Sequence, residues 1–194
     1  MQLILLILAS LISTNAFSQD CNPASLTEDD CSFYSRCIEE EFSCGTKGYT
    51  ISYGEYYCNR FSETFQTYQN DFSPRAHKWR ESTSLCLQRK IAQTVMSIDH
   101  SEPLKKSCHT IKENAYSHHA TCYTQKENSI CMLPKKDLIA IFNHRIIKYK
   151  DLFFVRRGLK QLQQVRKICI QQLRELKKDE RFNWWSEDSK SLIE

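Results

Sequence analysis

The chain has 194 residues, with 27 Lys and Arg against 23 Asp and Glu and a formal net charge of +4. Only four Gly and four Pro occur, which excludes collagen-like and low-complexity chains and the loop-rich knottin type, and favours long helices. Ten Cys call for disulfides or for metal; no C-x-x-C pair occurs anywhere, which speaks against zinc.

Residues 1–18, MQLILLILASLISTNAFS, read as a secretion signal: an apolar run, Leu3–Leu8, then Ala16 and Ser18 where a signal peptidase reads, with cleavage before Gln19. The run is too short to span a bilayer comfortably, and no later stretch qualifies. All ten cysteines follow it, at 21, 31, 37, 44, 58, 86, 108, 122, 131 and 169. An even set behind a secretion signal implies a disulfide framework. The expected organisation is a signal peptide (1–18), a single disulfide-rich helical domain (19–181) and a flexible tail (182–194) whose Trp184 and Trp185 could dock onto the core.

Thr27, followed by Glu28, Asp29 and Asp30, reads as an N-cap with acids in the first turn. The helix it starts carries Cys31, Phe33, Tyr34 and Cys37 to the Glu39–Glu41 run. Gly45, Gly48 and Gly54 bracket the loop that follows. Cys58, Phe61, Phe65 and Tyr68 then form a helical stripe over about 55–70. Ser73 and Pro74 mark the next start, with Trp79, Thr83, Cys86, Leu87, Ile91 and Val95 on the apolar side. Ser101 is the expected cap before Pro103.

The stretch Cys108 to Cys131 organises the rest. Cys108, Ile111, Ala115, His118 and Cys122 share one face of a helix over about 104–124, so two bridges should leave it for different partners. Pro134 opens a stretch with Leu138, Ile141, Phe142 and Ile146 facing inward. Phe153, Phe154 and Val155 fit a short buried strand or, in keeping with their neighbours, a helix. Gly158 should divide them from a last helix with Leu159, Leu162, Val165, Cys169, Leu173 and Leu176 at helical spacing. The expected fold is all-α, a disulfide-stapled bundle of about five to six helices.

Charge is unevenly spread. Asp20, Glu28, Asp29, Asp30, Glu39, Glu40 and Glu41 face only Arg36 and Lys47 in residues 19–50, while residues 134–181 are strongly basic. Such polarity can steer an acidic partner, a glycosaminoglycan or a membrane surface, or simply solvate a helix face. The early acids lack the spacing and turn glycine of an EF-hand. The basic helix lacks interleaved aromatics, so nucleic acid is not expected.

His118 and His119 are the candidate catalytic pair. HATCY (119–123) echoes the segment in which secreted phospholipases A2 place their catalytic histidine, but Ala120 stands where that family has a calcium-holding acid, and no glycine-rich calcium loop matches. His118 is expected on the buried stripe and His119 exposed. No hydrolase, zincin, P-loop or dinucleotide motif occurs, so no catalytic residue, metal or cofactor is assigned.

The cysteine steps of 10, 6, 7, 14, 28, 22, 14, 9 and 38 resemble those of the stanniocalcins, secreted helical hormones, over Cys21 to Cys169. Local likenesses are Cys108–Cys122 followed by Tyr123 and the segment CIEEEFSC (37–44). The resemblance implies pairing of Cys21 with Cys37, Cys31 with Cys58, Cys44 with Cys108, Cys86 with Cys122, and Cys131 with Cys169. It implies a signalling or binding role with a secreted or cell-surface protein partner, in calcium and phosphate homeostasis or metalloprotease inhibition. The chain departs from the family in two respects. No cysteine follows Cys169, so a covalent dimer is not supported and a non-covalent one stays open. No N-glycosylation acceptor is present.

Overall fold

The computed structural model describes residues 21–144, 146 and 156–178; the leader, the segment with Phe153, Phe154 and Val155, and the tail with Trp184 and Trp185 lie outside them. Residues 22–32 form an irregular segment, so the helix expected from Thr27 to the Glu39–Glu41 run is present only from Phe33 onward. The acids that were to fill its first turn bind side chains instead. Asp30 accepts from Arg36 Nη2 (2.7 Å) and Ser32 Oγ (2.8 Å), and Asp29 accepts from Ser62 Oγ (2.8 Å) and Arg80. Charge-assisted hydrogen bonds to fixed partners outweigh the weak pull of a helix N-terminus.

α1 is a π-helical turn, Tyr34–Glu39, continued by one α-helical turn, Glu40–Phe42, and ended by Ser43 in the left-handed region. Glu39 turns back from the acidic run to accept from the Gly45 N–H (2.5 Å) and Thr50 Oγ1 (3.2 Å). α2 opens with a second π-helical turn, Thr50–Glu55, and continues as Tyr56–Thr67. Gly54, expected in the loop, sits inside that turn. A Cβ on it would fall 2.7 Å from Tyr34 Cδ1 and Cε1, so α1 and α2 meet only because this residue has no side chain.

α3 (Pro74–Met96) starts as expected, with Ser73 Oγ accepting from the Ala76 N–H and Pro74 at the first helical position. The start is anchored by Asp137, fully buried, which takes hydrogen bonds from Ser73 N–H and Oγ. α4 (Leu104–Tyr123) begins directly after Pro103. Ser101 does not cap it; its N–H is held by Asp99 in the connecting turn. α3 and α4 form an antiparallel hairpin, with Trp79 Nε1 donating to Tyr123 O (3.0 Å) and Thr83 Oγ1 to Cys122 O (3.3 Å). α5 (Lys135–Asn143) packs at the Trp79 end through Asp137 and Ile141, and α6 (Arg156–Lys178) lies along α4. Gly158 does not divide segments: it lies in the first turns of α6 and is buried. No strand occurs among the described residues.

Two cores form at opposite ends of the hairpin. Phe33, Ile38 and Phe42 pack against Ile91, Val95 and Ile111; Phe65, Phe72 and Trp79 pack against Leu133, Ile141 and Ile146. Five disulfides tie the helices together: Cys21–Cys37, Cys31–Cys58, Cys44–Cys108, Cys86–Cys122 and Cys131–Cys169, with no free cysteine. α4 is thus bridged near its start to the loop after α1 and at its end to α3. Cys44 and Cys108 are 64 residues apart, the longest separation of the five, against 16 for Cys21 and Cys37. Removing the long bridge by Cys44→Ala with Cys108→Ala should cost about 4 kcal/mol, against about 3 kcal/mol for Cys21→Ala with Cys37→Ala, as closing a longer loop restrains the unfolded chain more. Urea unfolding of the two variants reads the difference.

Candidate functional site

Helical spacing puts His119 four residues beyond Ala115 and three before Cys122, on the ridge that α4 turns inward. It is 2 % exposed, whereas His118 is only half-buried. The expected roles are therefore reversed. The reason is that α4 is covered from two sides, by α3 and by α6, so its buried face is wider than the single stripe the cysteines mark.

Around His119 the structure gathers rings from three helices. Tyr53 stacks on His119 at 5.7 Å between centroids, with Tyr49, Tyr57 and Tyr116 packed on Tyr53 at 5.5, 4.6 and 5.3 Å. On the other side Tyr123 lies 5.6 Å from His119, Trp79 lies 6.3 Å from Tyr123, and Phe61 lies 6.0 Å from Trp79. An unbroken run of aromatic rings thus joins α2, α4 and α3, each pair at the separation that aromatic contacts prefer.

Both ring nitrogens of His119 are engaged. Nδ1 lies 3.1 Å from Gln161 Nε2, and Nε2 lies 3.3 Å from Tyr49 Oη. Gln161 Nε2 also donates to Tyr116 O, which fixes the amide nitrogen on this side. Nδ1 is then the acceptor, and the imidazole proton sits on Nε2 and is donated to Tyr49 Oη. Burial pushes the His119 pKa from 6.5 down to about 4, and His118 beside it adds to the drop. Burial also lowers His118, with Lys90 adding to it. Burial likewise pushes the Tyr123 hydroxyl up to about 12 and raises Tyr34 and Tyr49.

The site is a neutral aromatic wall with a fixed, neutral imidazole, suited to holding something apolar. The lone pair that a general base would use is occupied by Gln161, and Ala120 supplies no carboxylate to orient the ring. No cluster able to hold a metal ion occurs among the described residues, and no described helix is long and apolar enough to cross a membrane. Comparison with family models, with curated proteins and with solved structures finds no match to the chain.

Spacing pointed to His118 and missed Tyr49, Tyr53 and Gln161, which reach the site from other parts of the chain. The only local trace was the density of tyrosines in the segment YTISYGEYY (49–57).

Two outcomes follow. The unfolded imidazole takes up a proton below about pH 6.5 while the folded one stays neutral to about pH 4. Stability conferred by the buried neutral ring is therefore complete above pH 6.5 and declines as pH falls toward 4, by up to about 1.4 kcal/mol per pH unit. His119→Gln should flatten that part of a denaturation-versus-pH curve. Gly54→Ala should cost about 1–3 kcal/mol, because its methyl overlaps the Tyr34 ring; thermal melts read it.

Proposed function

We propose that the chain is a secreted, hormone-like signalling or binding protein of the stanniocalcin type that acts through its surface. The observation that carries the proposal is the closure of all ten cysteines into five bridges across long helices. Such a framework is characteristic of chains folded in an oxidising, extracellular compartment, and the order of its cysteines resembles that family. The roles the resemblance brings are calcium and phosphate homeostasis and the inhibition of secreted metalloproteases.

The surface best suited to a protein partner is basic. Arg156, Lys160, Lys167 and Arg174 are exposed along one side of α6. An open groove of about 760 Å³ adjoins the same helix, lined by Arg75, Lys78 and Lys126 and also by Glu127 and Glu175. The one-signed row on α6 speeds encounter with a partner that presents acids.

Expressed in a secreting host, the protein should begin at Gln19 by N-terminal sequencing. The folded protein should bind and inhibit a secreted metalloprotease, and reduction of its disulfides should abolish this. Joint Lys160→Glu, Lys167→Glu and Arg174→Glu substitution should slow association on the order of tenfold at low salt, with the effect shrinking as salt is raised. Calcium-dependent phospholipid hydrolysis abolished by His118→Ala would overturn the proposal in favour of a phospholipase-like hydrolase.

A further inference from the structure

Where the two cores approach each other they leave a cavity of about 160 Å³, bordered by Tyr34 of the first core and by Trp79 and Ile141 of the second. Leu162 and Val165 of α6 complete the wall. An apolar cavity of about 150 Å³ in another protein stays dry and binds benzene, so this volume suits a single small ring. A void left empty forfeits dispersion contacts along its whole lining, which a bound ring would restore.

Two features distinguish the cavity from a packing defect. Aromatic rings line it in sequence, Tyr53, His119, Tyr123 and Trp79, so flat apolar surface faces whatever enters. Both π-helical turns border it, through Tyr34 on α1 and Tyr53 and Gly54 on α2, and such turns concentrate at functional sites.

We infer that this cavity is a binding site for a small neutral aromatic molecule, with its ring among Tyr53, Trp79 and Tyr123. Size selects a single ring. The neutral imidazole and phenols disfavour a charged ligand. This site goes beyond the surface role proposed above and does not depend on it.

The test uses the folded, oxidised full chain and α-methylstyrene, a small neutral single-ring probe. It should raise Tm in a saturable way and shift the backbone amide resonances of Tyr53, Trp79 and Val165. Val165→Phe, which fills the cavity, should abolish both effects. If that variant does not fold, the resonance shifts in the unaltered chain still locate the probe. The absence of any saturable shift would overturn the inference, as would binding that persists in Val165→Phe or that perturbs other residues.

Discussion

The clamping of α4 is the constraint on which the rest depends. One bridge holds Cys108 near its start to Cys44, and another holds Cys122 at its end to Cys86 of α3. Between these points the helix is held in register, so Ala115 and Ile111 face inward, and everything packed on them inherits that register. The α3–α4 hairpin divides the apolar interior into two cores, and α6 is brought against α4 with the help of the Cys131–Cys169 bridge, which ties its middle to the segment after α4. Five covalent ties relieve the packing of some of the work of holding the fold, so the interior can keep a void where the cores meet.

Polar groups share the interior on fixed terms. Asp137 is buried at the start of α3 and is matched by the N–H and hydroxyl of Ser73. Gln88, also fully buried, donates to Asp30 O and so pins the irregular N-terminal segment to α3. Ser84 does the same through Glu28 O. These bonds give residues 22–32 a defined path without regular structure, as buried backbone groups must find partners of some kind. Charge is divided along similar lines: exposed cations lie along one side of α6, and aromatic surface lies within.

Much of the architecture is legible in the residues themselves. The helical stripes of α3, α4 and α6, the Ser73–Pro74 start, and the all-α class follow from local periodicity and capping, because these depend on residues within a few positions of one another. The cysteine count implied a disulfide framework, but the ten positions alone are compatible with many pairings; the pairing is a statement about which helices lie side by side. The errors have the same origin. Thr27 looked like a cap until Arg36, Ser62 and Arg80 claimed the acids beside it, and Gly54 looked like a loop residue until the Tyr34 ring was placed over it.

The histidine pair shows the division most clearly. The sequence by itself determined that α4 is a helix, that Cys108 and Cys122 mark a face of it, and that two adjacent histidines lie near that face. Which of them is buried was decided only by tertiary structure, since both fit the helical spacing of Ala115 and Cys122 and it is His119 that α6 covers through Gln161. The same holds for the partners of His119: Tyr49 stands 70 positions before it and Gln161 42 positions after it. Local periodicity fixes the direction of a side chain on its own helix, but the chemistry of a buried group is set by what other helices place against it, and that is known only once they have packed.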